Sequence, residues 1–271
     1  MNDAPLLIDS PQAGVCRWTL NRPQRCNAYS PDLLDTMFDS LDSLESDASN
    51  RVVIIRGAGS VFCGGLDLKL AAENDLQAGR KTAGRVLELL GRILTSPLIF
   101  IAAAQKAARG GGAGLVAACD FAIVDDRFTI AFPEVQRGLS PALLFPILRR
   151  KLSDPHLREL LLTGSPVGAV RGREMGLIHR IVAEEELDAT ALDFAGEILQ
   201  GNPGSVRSAK ALINSTSNSS EPSLSLEGEL RHAFLSHLES WDSPSGREGV
   251  TAFLEKRAPN WENRSHQGKQ S

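Results

Sequence analysis

The chain of 271 residues is 42% hydrophobic and 23% charged, ordinary globular material, long enough for one large core with an appendage. Its formal net charge is -4 and no run of basic residues exceeds Arg149-Arg150-Lys151, so nucleic acid is not an expected partner. The longest strongly apolar run, Leu98 to Ala104, is far too short to span a bilayer, so no membrane partner is expected.

Val15 to Leu20 reads as a strand that Asn21-Arg22-Pro23 ends. Ser30-Pro31 opens a helix: the serine can cap, the proline suits the first turn, and Asp32 and Asp35 favour the positive N-terminal end. Leu33, Leu34, Met37, Phe38, Leu41 and Leu44 recur at helical spacing and give one buried face. Val52 to Ile55 is a β-branched run that suits a buried strand. A helix near 80–95, a strand at 98–104, and strands near 120–124 and 128–132 follow. After Pro141 helical segments succeed one another at 141–151, 155–163, 184–200, 204–215, 223–240 and 245–257, with little strand signal. The pattern predicts an α/β core and then a helical C-terminal part, with the boundary between 185 and 205. We place the core at 1–195 and the helical region at 196–261. Residues 215–225 read as a polar connection, and the tail 262–271 as disordered.

Cys16, Cys26, Cys63 and Cys119 lack paired spacing and sit beside apolar residues, which predicts reduced core thiols. Met1-Asn2-Asp3-Ala4-Pro5 lacks the basic-then-apolar order of a signal peptide, so a cytoplasmic location is expected. In that compartment the glycosylation-like matches at Asn214, Asn218 and Asn263 carry no meaning. His156, His179, His232, His237 and His266 lack metal-ligand spacing and are expected at the surface or in packing; no metal is expected.

Two glycine clusters follow strands. The first is Phe62-Cys63-Gly64-Gly65-Leu66-Asp67-Leu68; the second is Gly110-Gly111-Gly112-Ala113-Gly114, which runs into the apolar stretch Leu115 to Cys119. Glycines at a strand-to-helix turn let a ligand approach the backbone closely, and the helix start offers free N–H groups at its positive end. Such a turn suits a phosphate or a developing oxyanion, or simply tight packing. A dinucleotide fingerprint fails because its third glycine would fall on Leu115, and neither a P-loop nor a nucleophile elbow is present. Glu134, within Phe132-Pro133-Glu134-Val135-Gln136-Arg137-Gly138-Leu139, is either a paired structural charge or a general acid/base with a raised pKa.

Taken in order, Asn21-Arg22-Pro23, Asn27-Ala28, Phe62 to Leu68, Gly110-Gly111-Gly112, Phe132-Pro133-Glu134 and Gly138-Leu139 resemble the enoyl-CoA hydratase/isomerase (crotonase) superfamily. The similarity continues through Leu162-Thr163-Gly164, Gly176-Leu177-Ile178 and Glu248-Gly249 to Arg257, nearly the whole chain. The resemblance implies a crotonase-like ββα spiral core with a C-terminal all-helical oligomerisation region. It implies an acyl-CoA substrate, no cofactor beyond the CoA of that substrate, and a homotrimer or dimer of trimers.

Residue by residue, the resemblance assigns the thioester oxyanion to the backbone N–H groups of Leu66 and Gly111, flanked by Gly64, Gly65 and Gly110. It assigns the pantetheine and nucleotide to the Cys26-Asn27-Ala28 strand end and to Gly65 through Asp67 and Leu68. Phe253 and Lys256 would reach the CoA of a neighbouring subunit. Glu134 remains as acid/base, whereas Gly114 stands where two-glutamate hydratases carry their other carboxylate. This single-glutamate pattern is similar both to Δ3,Δ2-enoyl-CoA isomerases and to hydratases of branched glutaconyl-type esters. The turn Gly138-Leu139-Ser140-Pro141-Ala142 tilts the reading toward hydration. Gln105-Lys106 and Arg109 depart from the family pattern: either departure could shift the acyl pocket, contact an acidic substrate or signal loss of activity, and Lys106 and Arg109 could equally be solvated loop-edge charges. Gly114 and Lys106 together leave a catalytically weak acyl-CoA-binding protein as a reading of another class.

Overall fold

The structure, a computed structural model, describes residues 4–67, 76–216 and 243–261. The chain divides into two compact units, Met1–Leu199 and Gln200–Ser271. The expected helix at 223–240, most of the polar connection and the tail lie outside the described residues.

In the first unit six strands form one sheet: β1 (Leu6–Gln12), β2 (Val15–Leu20), β3 (Val52–Gly57), β4 (Ile99–Ala104), β6 (Phe121–Asp125) and β9 (Arg180–Val182). They lie in that order, antiparallel between β1 and β2 and parallel thereafter. A second sheet joins β5 (Ala107–Arg109), β7 (Thr129–Ala131) and β8 (Val167–Gly168). All of β4 is buried, as are Val52 to Ile55 in β3, which is why these two read as unbroken apolar runs.

Helix α1 (Pro31–Ser46) starts where the sequence indicates. Ser30 is extended and its hydroxyl accepts from the Leu33 N–H, while Leu33, Leu34, Met37 and Leu41 bury the predicted face. Helices α2 (Leu76–Thr95) and α3 (Gly111–Ala118) follow. Gly112 through Ala118 are all buried, so α3 is apolar all round. Trp18, Tyr29, Phe62, Phe100, Phe128 and Phe132 are the largest fully buried side chains of the core.

Beyond Pro141 the unit carries α4 (Phe145–Leu148), α5 (Asp154–Thr163), α6 (Ala169–Glu174) and α7 (Leu187–Leu199). It also carries β8 and β9, where little strand was expected. Two or three residues are too few to show a period of two, and tertiary pairing alone makes them strands. In the second unit, α8 (Pro203–Thr216) and α9 (Pro244–Leu254) are described. Ser243 caps α9 by accepting from the Gly246 N–H, and Trp261 donates to the Gln200 carbonyl. No described helix is long and apolar enough to cross a membrane.

Cys16, Cys63 and Cys119 are buried free thiols, as the sequence indicates, but Cys26 is exposed. The short 3-10 turn Pro23–Arg25 leaves it outside the apolar packing that its neighbours suggest.

Asp125 connects the two sheets. Fully buried at the end of β6, its carboxylate accepts from the Lys106 N–H at 2.6 Å and the Arg127 N–H at 2.8 Å. Lys106 has φ 57, and this pairing holds the corner from which the chain enters β5. Asp125→Ala leaves two N–H groups without their acceptor and is expected to cost about 3 kcal/mol, read from urea denaturation midpoints, with Asp125→Asn losing less.

Candidate functional site

The two glycine clusters meet at the junction of the sheets. Cys63 bridges Ala108 in parallel, and the Arg109 N–H donates to the Cys63 carbonyl at 3.0 Å. This pairing lays Gly64-Gly65-Leu66 along Arg109-Gly110-Gly111. A Cβ on Gly65, whose φ is +88, would lie 2.6 Å from the Arg109 carbonyl oxygen and 3.1 Å from the Gly111 nitrogen. A Cβ on Gly112 would lie 2.4 Å from the Cys63 carbonyl oxygen. Only glycine lets the backbones pass this closely.

Leu66 and Gly111 therefore sit on adjoining segments. Gly111 opens α3, where an N–H has no partner within the helix, and the first bond there runs from Gly114 to the Gly110 carbonyl. Among the described residues neither the Leu66 N–H nor the Gly111 N–H donates a hydrogen bond. Tyr29 backs both: it bridges Leu66, and its ring carbon would lie 3.3 Å from a Cβ on Gly111. Nothing in the sequence singled out Tyr29, which is wholly buried and reads as an ordinary core aromatic.

Glu134 lies in the 3-10 turn Pro133–Arg137, which Gly138 closes with φ 71. The Leu139 N–H donates to the Glu134 carbonyl at 2.9 Å and fixes the turn. The carboxyl faces the glycine turn: its Oε1 would be 3.1 Å from a Cβ on Gly110. Oε2 is buried with no hydrogen-bond partner. Burial pushes the carboxyl above its ordinary pKa, opposed by its own backbone N–H and by the Arg137 charge. Among the described residues no salt bridge engages the Glu134 carboxyl.

On the same face of α3, apolar side chains close in on Gly114. A Cβ there would lie 2.6 Å from Leu144 Cδ2 and 3.0 Å from Leu90 Cδ1. No room is left for a longer side chain without moving Leu144.

Ala28, Asn27 and Asp67 are buried beside this junction, with the Gly64 N–H donating to the Cys26 carbonyl at 2.8 Å. The Asp67 carboxylate pairs with Arg22 at 3.2 Å, an ion pair that sequence reading had left inside a motif. Leu68 lies outside the described residues. Phe253 and Lys256 belong to the second unit, both exposed, with Lys256 at φ 53 just past α9.

The basic departures are occupied. Lys106 pairs with Glu184 at 3.2 Å. The Arg109 guanidinium donates to the Thr129 carbonyl at 2.6 Å and the Thr129 hydroxyl at 2.7 Å. Burial alone lowers its pKa. His179 packs as expected: its Nδ1 accepts from the Ala122 N–H, and burial first, then the Lys151 charge, pulls its pKa down to about 4. No cluster of residues that could hold a metal ion occurs among the described residues.

Known proteins resemble this chain over most of its length. The family model described as Enoyl-CoA hydratase/isomerase matches residues 10–264. The chain is 34% identical over 269 residues to the mevalonyl-coenzyme A hydratase sidH of Aspergillus fumigatus, covering 94% of each chain. It is 31% identical over 253 residues to the enoyl-CoA hydratase EchA19 of Mycobacterium tuberculosis, covering 91% of this chain and 92% of that one. The solved enoyl-CoA hydratase of Mycobacterium smegmatis superposes with a TM-score of 0.87 at 31% identity, over 95% of this chain and 98% of the other. The fold, α/β with two sheets and C-terminal helices, is thus the crotonase fold that the resemblance implied.

The raised pKa of Glu134 predicts a stability signature with a definite sign. A carboxyl whose folded pKa exceeds its unfolded one favours the native state when protonated, and that contribution fades as pH rises through the folded value. Glu134→Gln should therefore melt higher than the wild type at about pH 7.5, with the gap closing toward about pH 4. Equal melting temperatures across that range would contradict the burial argument.

Proposed function

Because the chain belongs to the enoyl-CoA hydratase/isomerase family, we propose that it is a lyase that adds water to a 2-enoyl-CoA, with Glu134 as its one proton-transferring side chain. The observation that carries this reading is the pair of N–H groups without acceptors, Leu66 and Gly111, beside one buried carboxyl.

The steps balance with these groups alone. Glu134 as carboxylate takes a proton from water while the water oxygen bonds to the β-carbon of the enoyl thioester. The displaced electron pair moves onto the thioester oxygen, where the Leu66 and Gly111 N–H groups receive the developing charge. Donors fixed in advance stabilise that charge without reorganising; losing one costs about 3–4 kcal/mol in the transition state. The enolate then collapses, its α-carbon takes the proton from Glu134, and the carboxylate is restored. A raised pKa suits a group that must both accept and return a proton near neutrality.

A branched, glutaconyl-type acyl group is the favoured substrate. The turn Gly138 to Ala142 supports it, and so does the likeness to a protein named for mevalonyl-CoA, whose acyl group is itself branched. Isomerisation of a 3-enoyl-CoA is the second reading, favoured by the apolar wall of Leu90 and Leu144 at Gly114, which offers water no second polar partner.

Incubation with crotonyl-CoA and 3-methylglutaconyl-CoA should add the mass of one water, read by mass spectrometry. A 3-enoyl ester that rearranges at constant mass would favour isomerisation, and binding without turnover on any ester would leave an acyl-CoA-binding protein. Glu134→Gln should lose at least about a hundredfold in kcat, the scale of a general acid/base group. Full activity in that variant would remove Glu134 from the mechanism.

The family resemblance also supports a homotrimer, or a dimer of trimers. In it the exposed Phe253 and Lys256 would meet the CoA of the adjacent subunit. Light scattering should give a trimeric or hexameric mass, and Lys256→Ala should raise KM with kcat little changed, as lost uniform binding does. A monomer with an unaltered KM would overturn this arrangement.

A further inference from the structure

We propose that Arg22 is a positioning residue of this site: its guanidinium ties the Ala28 carbonyl to the Asp67 carboxylate and so fixes the Leu66 N–H. The proposal rests on the reading of Leu66 as an oxyanion donor.

Leu66 is held on both flanks by one short element, residues 22–29. On one side the Tyr29 N–H donates to the Gly65 carbonyl at 2.8 Å. On the other, Arg22 Nη2 meets Asp67 Oδ2 at 3.2 Å, while Arg22 Nη1 donates to the carbonyl of Ala28, next to Tyr29. Both arms of the guanidinium fork are used, a geometry that a lysine point charge cannot reproduce. The pair is largely out of water, with side-chain exposures of 15% for Arg22 and 7% for Asp67. Removing one member takes from the other its opposite charge in a poorly solvated place.

The element that carries Arg22 is itself braced. Cys26 and Asn27 are consecutive non-glycine residues in left-handed conformation, φ 51 and φ 52, a pairing that persists only where its surroundings impose it. Asn27 imposes it with a fully buried side chain. Its Oδ1 accepts from the Arg22 N–H at 2.9 Å, and its Nδ2 donates to the carbonyls of Ala58 at 2.9 Å and Val61 at 2.8 Å. The Cys63 thiol donates to the Asn27 carbonyl at 3.2 Å. The side chains of Asn27 and Asp67 thus act inside the protein as parts of the clamp.

The test reads carbonyl polarisation directly. Difference infrared spectra of bound butyryl-CoA should show the thioester stretch at lower frequency in the wild type than in solution. In Arg22→Met that displacement should fall by at least half. Its kcat should fall about tenfold to a hundredfold, the scale of a misplaced group, with ester affinity changed by less than about threefold. Arg22→Lys should be intermediate. Asp67→Asn, a milder cut, is scored in the same way and decides the matter should Arg22→Met fail to fold. A wild type without displacement would overturn the oxyanion reading and the clamp with it. Displacement retained in the folded variants, or affinity lost in step with kcat, would overturn the clamp alone.

Discussion

The contact between two backbones at Cys63–Gly65 and Arg109–Gly112 is the constraint from which the rest of the first unit follows. Side chains at Gly65 and Gly112 would stand 2.6 Å and 2.4 Å from carbonyl oxygens of the opposite segment, inside any tolerable separation. The closeness has a structural consequence beyond the glycines. A helix that begins against another backbone is buried from its first turns, so α3 cannot be amphipathic, and Gly112 through Ala118 are small or apolar on every side. The same contact threads β5 between the sheets, because Cys63 bridges Ala108 while β5 pairs with β7.

The charges around that contact are engaged with partners other than Glu134. Arg109 turns its guanidinium onto Thr129, Lys106 reaches Glu184, and Asp67 is met by Arg22. Each could have lowered the pKa of a neighbouring carboxyl, yet the charge that acts on Glu134 is that of Arg137, and burial outweighs it. A carboxyl beside N–H groups that donate to nothing, and held out of water, keeps its proton to higher pH than an exposed one. Leu90 and Leu144, by filling the space at Gly114, make that solitude structural.

Much of this was legible in the sequence, for identifiable reasons. The cap at Ser30, the helical spacing from Leu33 to Leu41 and the unbroken runs of β3 and β4 are local signals, and each marks an element that exists. β1 was passed over because it is an edge strand with exposed polar residues and a proline, and its pairing with β2 is irregular between Asp9 and Gln12. β5, β8 and β9 span three residues or fewer and are made by their partners alone. In the site, the glycine clusters announced that something must come close, but not that each is what comes close to the other. Arg22 was visible only as part of a motif, since its partners Ala28 and Asp67 lie 6 and 45 residues away. Cys26 misled because exposure depends on the turn it closes, not on its neighbours' polarity.

The two unpartnered N–H groups reach their places by different physics. Gly111 is fixed by regular structure: the Gly110 N–H donates to the Ala131 carbonyl, extending the β5–β7 pairing, and α3 grows directly from it. Leu66 belongs to no strand or helix, and its single bridge to Tyr29 supplies little cooperative pairing. A loop residue that must hold still needs other restraints, and the chain supplies them as a buried amide, a guanidinium fork and two left-handed residues. Buried polar networks are costly when partly satisfied and rigid when fully satisfied. The chain therefore places a buried amide and a buried ion pair where backbone pairing runs out, and builds the first turns of α3 from glycine, alanine and leucine.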